Sequence, residues 1–205
     1  MVTIGAPEEQ YMSWNIDKQF DFCYSHRVYV QKLNKEFCAS GDYNTKCRHI
    51  HGHQGKVHVF VEADNLDERS MVIDFKEMGF LKDFIDDYLD HKFIIDIRDP
   101  MFQTLVHRPF TELTGEISLP TKTVKVPGTK HVAGRVIDLS SAKNLSDASA
   151  YEVLEGYFIV DFVPTSEKLA HWMYNIAQSK LDGLGATVSR IDWFETPKSR
   201  SSFCP

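Results

Sequence analysis

Two stretches near the start of the chain alternate inward and outward side chains with a period of two. In the first, Phe20, Phe22, Tyr24 and His26 take one parity, and Gln19, Asp21, Cys23 and Ser25 take the other. A strand points successive side chains to opposite faces, so this pattern predicts a half-buried strand over roughly Gln19–Val30. In the second, Val57, Val59 and Val61 alternate with Lys56, His58 and Phe60, which predicts a strand over roughly Gln54–Glu62. Gly41-Asp42-Tyr43-Asn44 reads as a loop between them, and Asp64–Glu68 as a turn.

The period then changes. Asp74 reads as an N-cap, and Phe75, Met78, Leu81, Ile85 and Leu89 recur at helical spacing, with Phe84 and Tyr88 widening the stripe. A second amphipathic helix begins near Thr165, with Glu167 placed to complement its positive end. Leu169, Trp172, Met173, Ile176 and Leu181 form its apolar face, and Gly183 and Gly185 stop it. Ala186–Phe194 reads as a further strand and Ser199–Cys204 as a short closing one. The order is strand, strand, helix, helix, strand, strand.

The segment between Asp96 and Tyr157 interrupts that order. Val124-Lys125-Val126, His131-Val132-Ala133 and Arg135-Val136-Ile137 read as short strands broken by Pro120, Pro127, Gly128 and Gly134. The expectation is one domain over residues 1–205 with a β-rich insertion at about 97–157. The insertion is expected to lack an apolar core of its own and to stay peripheral.

Chemistry enters with the histidines. His49, His51 and His53 lead into the second strand in phase with Val57, and His26 continues the apolar face of the first. If the two strands pair antiparallel, His26, His51 and His53 converge at one end of a sheet, with His49 beyond the pair. Three neutral imidazoles suit a catalytic zinc, which keeps a further position open; plain strand or turn histidines are the bland alternative. Gly52 leaves room between His51 and His53 for a ligand or another chain. Cys47, flanked by Lys46 and Arg48, places a thiol near such a metal, where positive charge favours the thiolate; Cys38 is its rival. Asp90-His91 offers a carboxylate and an imidazole for proton transfer, or simply a polar helix end.

Composition narrows the field. At 205 residues and 42% hydrophobic, the chain buries a good core as one domain. A formal charge of −6 argues against a nucleic-acid surface. No apolar run reaches spanning length, and Met1–Asn15 carries no signal-type apolar region, so no membrane role is expected. Four cysteines without a repeating spacing point to reduced thiols and the cytoplasm. A zinc hydrolase is disfavoured, because no His-Glu-x2-His motif occurs.

The chain reads, in order, Phe22-x3-His26, Cys47-x3-His51-Gly52-His53, Met71-Val72-Ile73-Asp74-Phe75, Leu89-Asp90-His91, Pro164-Thr165-Ser166-Glu167 and Trp193-Phe194-Glu195-Thr196. This ordered set resembles the 6-pyruvoyl-tetrahydropterin synthase / 6-carboxy-tetrahydropterin synthase family over roughly residues 17–96 and 160–196. The Cys-x3-His-Gly-His spacing is most like the bacterial 6-carboxy branch. One departure is the Lys92-Phe93-Ile94-Ile95-Asp96 run after His91, where the family commonly has Leu-Asn.

The resemblance implies an α+β tunnelling fold, an antiparallel four-stranded sheet with two helices on one face. It implies zinc held by His26, His51 and His53, with Cys47, Asp90 and His91 catalytic. Glu195 would anchor a pterin ring, and Thr165 and Ser166 would add hydroxyls, although their place at a helix start gives them an equally good structural reason. The implied reaction converts 7,8-dihydroneopterin triphosphate to 6-carboxy-5,6,7,8-tetrahydropterin, acetaldehyde and triphosphate, on the route to queuosine. Two rivals stay open: 6-pyruvoyl-tetrahydropterin synthesis, and a zinc-containing pterin-binding oligomer without turnover. Unpaired sheet edges favour pairing with other chains, and the resemblance implies a homohexamer built as a dimer of trimers.

Overall fold

The computed structural model describes residues 13–32, 46–140 and 148–205. Its first strand, β1, spans Trp14–His26, and β2 spans His51–Ala63. They pair antiparallel along their whole length, with His26 opposite His51 and Trp14 opposite Ala63. Both begin earlier than the alternation predicts, and β1 ends at His26 because the chain turns away there. Their side chains alternate as expected: Phe20, Phe22, Tyr24, Val57, Val59 and Val61 are buried, and Asp21 and Cys23 exposed. The predicted loop at residues 41–44 lies outside the described residues.

Asp74 is a cap. Its side chain accepts from the Lys76 N–H at 2.8 Å, and Glu77 returns the bond by accepting from the Asp74 N–H at 2.8 Å. This closes a capping box on the short turn Phe75–Met78, which runs into α1 (Gly79–Tyr88). β3 (Lys92–Asp96) follows, then a π-helical turn at Gln103–His107 leading into α2 (Arg108–Thr114). β4 (Thr121–Lys125), β5 (Val132–Ile137), α3 (Ala148–Glu155) and β6 (Tyr157–Val160) complete the middle. α4 (Ser166–Leu181), β7 (Thr187–Thr196) and β8 (Ser199–Phe203) close the chain.

The eight strands of the described residues join one sheet in the order β4-β5-β6-β3-β1-β2-β7-β8. The expected four-stranded antiparallel unit is the contiguous β1-β2-β7-β8 part plus its two helices. Beyond it the sheet continues through two parallel pairings, β1 with β3 and β3 with β6. The main core packs Leu81, Phe84 and Ile85 of α1 and Leu169, Met173 and Ile176 of α4 against the inward residues of β1, β2 and β7.

The expectation that the middle segment lacks a core is corrected. Ile95, Ile137 and Ile159 of the sheet enclose a second apolar cluster with Val106, Phe110 and Leu154. Their neighbours Ile94 and Phe158 belong to the main core, so alternation places the second cluster on the opposite face. The segment is also less peripheral than expected. Val124, Val126 and Ala133 enter the main core, and the buried Trp172 Nε1–H of α4 donates to the Ala133 carbonyl at 2.8 Å. Gly134, read as a break, lies inside β5. A Cβ there would fall 2.6 Å from the Phe158 ring and 2.9 Å from the Ile159 carbonyl, so glycine permits close strand approach.

Candidate metal centre

Antiparallel pairing sets His26 directly opposite His51, and Tyr24 opposite His53. Because His51 and His53 share one face of β2, the three imidazoles meet at the end of the hairpin. His26 Nε2 lies 3.1 Å from His51 Nε2 and 3.1 Å from His53 Nε2. Backbone carbonyls fix two of the tautomers: His26 Nδ1–H donates to Pro164 at 2.7 Å and His51 Nδ1–H to His49 at 2.9 Å. Those bonds leave both Nε2 atoms as bare acceptors. Acceptors 3.1 Å apart repel one another unless a cation lies between them, so the donor set fits a metal. His26, His51 and His53 are also the described group whose ligand atoms converge within 4.8 Å; His49 is absent from it.

Electrostatics favour the same state. Burial pushes the His26 pKa down to about 4; the bond to Pro164 works against this, and the neighbouring His51 and His53 add to it. His53 is lowered too, by burial and then by His51. His26 and His53 are thus neutral, metal-ready imidazoles at neutral pH. Glu195 Oε1 approaches His26 Nε2 to 3.7 Å. A neutral His26 makes this a polar contact rather than an ion pair. Burial raises the Glu195 pKa, His51 opposes the rise and Glu167 adds to it.

The Asp90-His91 pair is formed within the chain, since His91 Nδ1 lies 3.0 Å from Asp90 Oδ1. Asp90 Oδ1 also accepts from the Cys23 N–H at 2.8 Å, while the His91 N–H donates to the Cys23 carbonyl at 2.6 Å. His91 achieves this with φ at 59°, and its side chain is 80% exposed. Burial alone would raise the Asp90 pKa, but the Cys23 N–H and His91 outweigh it and leave the carboxyl below its usual value. The Lys92–Asp96 run that departs from the family pattern becomes β3, paired with β1 at Tyr24 and Ser25. An open groove of about 350 Å³ runs past His91 and His53, with Cys23 and Lys92 on its walls.

Cys47 is half-buried on the short turn Lys46–Arg48, which is tied to the end of β1 by the Val28 N–H donating to the Cys47 carbonyl at 2.7 Å. The thiol is not part of the converging metal group. Cys38 lies outside the described residues. Thr165 is the N-cap of α4, accepting from the Lys168 N–H at 3.3 Å, and Ser166 Oγ bonds Ser201 Oγ at 2.6 Å. Gly52 lines the open groove beside His53, and a Cβ there would face the Tyr24 carbonyl at 3.3 Å. Sequence reasoning missed the carbonyls of Pro164 and His49 as orienting groups, because a backbone acceptor leaves no residue-type signal.

A family model for 6-pyruvoyl tetrahydropterin synthase matches residues 15–204. The chain belongs to this family. It is similar to the 6-carboxy-5,6,7,8-tetrahydropterin synthase of Aquifex aeolicus, at 29% identity over 94% of this chain and 98% of the relative. That match spans the middle segment as well. A shorter match, 35% identical over 57 residues, links it to the enzyme of the same name from Rickettsia bellii, covering 26% of this chain and 39% of the relative. Among solved structures, a Wolinella succinogenes protein is 40% identical with a TM-score of 0.79, covering 94% of this chain and 98% of its own. The Caenorhabditis elegans 6-pyruvoyl tetrahydropterin synthase shares the fold, with a TM-score of 0.52 at 16% identity over 95% of this chain and 96% of its own. The protein is thus a pterin-synthase-type lyase with the α+β tunnelling fold of its family. Among the described residues no helix is long and apolar enough to cross a membrane.

Proposed function

We propose that the protein is a zinc-dependent 6-carboxy-tetrahydropterin synthase acting on 7,8-dihydroneopterin triphosphate. The observation that carries this reading is the convergence of His26, His51 and His53, with the outer nitrogens of His26 and His51 committed to backbone carbonyls. The Cys-x3-His-Gly-His spacing and the full-length similarity to the Aquifex aeolicus enzyme favour the 6-carboxy branch.

His26, His51 and His53 would hold the zinc, which would supply a Lewis acid for the side-chain oxygens of the substrate. Cys47 takes and returns a carbon-bound proton as thiolate and thiol. The Asp90 carboxylate holds the His91 tautomer through Nδ1, leaving the exposed Nε2 of His91 to carry the opposite proton transfers. Glu195 accepts from the pterin ring N–H and 2-amino group, a donor pair matched to one carboxylate. Thr165 Oγ1 serves as an acceptor inside α4, so its own proton stays free to donate to substrate.

The proposed products are 6-carboxy-5,6,7,8-tetrahydropterin, acetaldehyde and triphosphate, a step of queuosine biosynthesis, and the proposed compartment is the cytoplasm. A homohexamer of two trimers fits the sheet. Among the described residues β1 pairs with β3 at Tyr24 and Ser25 alone, and β8 ends the sheet on the other side, so both present open edges there. Incubating zinc-loaded protein with 7,8-dihydroneopterin triphosphate and weighing the products by mass spectrometry tests the reading. A 6-pyruvoyl product would move the protein to the other branch, and unchanged substrate would leave a binding protein.

A further inference from the structure

Behind the three imidazoles lies a ring that the mechanism does not use. Tyr24 is 3% exposed and packs against His26 at 5.3 Å and His53 at 5.5 Å between ring centroids. Its hydroxyl accepts from the buried Trp193 Nε1–H at 2.9 Å. Trp193 also meets the ring edge-on, at 5.5 Å and 79°. The phenol is therefore held at its oxygen and at its face, and it backs two of the three candidate ligands.

The ring occupies its place only because residue 55 has no side chain. A Cβ on Gly55 would lie 2.7 Å from Tyr24 Cε1 and 3.0 Å from Cδ1, closer than non-bonded carbons approach. The same Cβ would also touch the Phe194 carbonyl at 3.5 Å. A large residue on one metal-bearing strand is thus matched to an empty position on the other, two residues from His53.

We infer that Tyr24, admitted by Gly55 and anchored by Trp193, is a positioning residue that sets the spacing and tilt of His26 and His53 toward the metal. The inference rests on the metal reading given under the proposed function. Imidazole orientation is fixed partly by bonds at Nδ1 and partly by what the ring packs on, and groups that orient metal ligands typically govern affinity by about 10–100-fold.

The test uses the full-length protein stripped of metal and titrated with Co²⁺. Affinity is measured by chelator competition, ligand geometry by visible absorption, and folding by the thermal midpoint of the metal-free form. Gly55→Leu drives a side chain into the Tyr24 ring, and Tyr24→Ala removes the ring and leaves a hole. Each is expected to weaken Co²⁺ binding by about 10-fold or more and to change the absorption bands. Combining the two lets Leu at position 55 refill the space from the opposite strand, so the pair should recover affinity to within about 3-fold of wild type.

A role confined to packing would lower the thermal midpoint and leave the Co²⁺ spectrum of the folded protein unchanged; that result overturns the inference. So does a double variant no better than Gly55→Leu alone. If Gly55→Leu fails to fold, Tyr24→Ala carries the test, because it removes atoms and creates no clash. Wild-type protein that takes up no metal would sink the metal reading together with this inference. Wild-type binding with unaltered single variants sinks this inference alone.

Discussion

The histidine-bearing hairpin and the segment from residue 97 to 157 share one sheet but are built differently. β1 and β2 bury one face and expose the other, and every candidate metal ligand comes from that buried face. β3 and β6 are buried on both faces, Ile94 and Phe158 against the main core and Ile95 and Ile159 against the second cluster. The hairpin puts its unsatisfied acceptors where the chemistry is. The middle segment builds a second apolar cluster and, among the described residues, gives none to the candidate metal group. Function and scaffolding are thus divided along the sheet, and the division predicts which changes should affect turnover and which stability.

The largest effect is expected at Cys47. Cys47→Ala should keep metal content and thermal midpoint near wild type while lowering turnover by about 10²–10⁴-fold, the usual contribution of a positioned acid or base. Cys38→Ala should leave turnover intact. An active Cys47→Ala enzyme, or a folded but inactive Cys38→Ala enzyme, would move the base elsewhere.

A change in the middle segment should do the reverse. Phe110 is fully buried in the second cluster. Phe110→Ala should cost about 3–5 kcal/mol of stability, read from urea or thermal unfolding. Metal affinity of the folded fraction should not change. A variant that loses metal but not stability would erase the distinction between the two regions.

How far each region was legible in the sequence follows from the same difference. One-sided burial writes a period of two, so Phe20, Phe22, Tyr24, Val57, Val59 and Val61 announce both strands, and His26, His51 and His53 announce the candidate metal face. Two-sided burial writes no period; Ile94-Ile95 and Phe158-Ile159 are plain apolar runs that do not declare a strand. Pro109 lies where the π-helical turn at Gln103–His107 passes into α2, and a proline within a helical run leaves no sequence signal that the helix continues across it. Gly134 misleads in the same way, since close approach to Phe158 and a chain break call for the same residue. The Asp90–His91 contact depends on a left-handed backbone at His91 that residue types alone do not show.

The smallest effect concerns the join between the hairpin and the rest. Asp90 is held below its ordinary value of 3.8, so its folded form binds a proton less readily than the unfolded chain does. A depressed carboxyl contributes stability above the unfolded value and loses it as pH falls through the lower folded one. The Cys23 amide, which Asp90 accepts from, should therefore keep its hydrogen-exchange protection at neutral pH and lose it only as pH falls below the ordinary carboxyl value of 3.8. Asp90→Asn should show weakened protection throughout. Protection in the wild type that ignores pH over this range would mean that the carboxylate does not hold the strand.

The central claim is that one metal sits on His26, His51 and His53 and on no other histidine. Elemental analysis of purified wild type, His26→Ala, His51→Ala, His53→Ala and His49→Ala, all confirmed folded, tests it directly. The account predicts about one zinc per chain in wild type and in His49→Ala, and little or none in the other three. A His49→Ala protein stripped of metal, or a His26→Ala protein that retains it, would contradict the account.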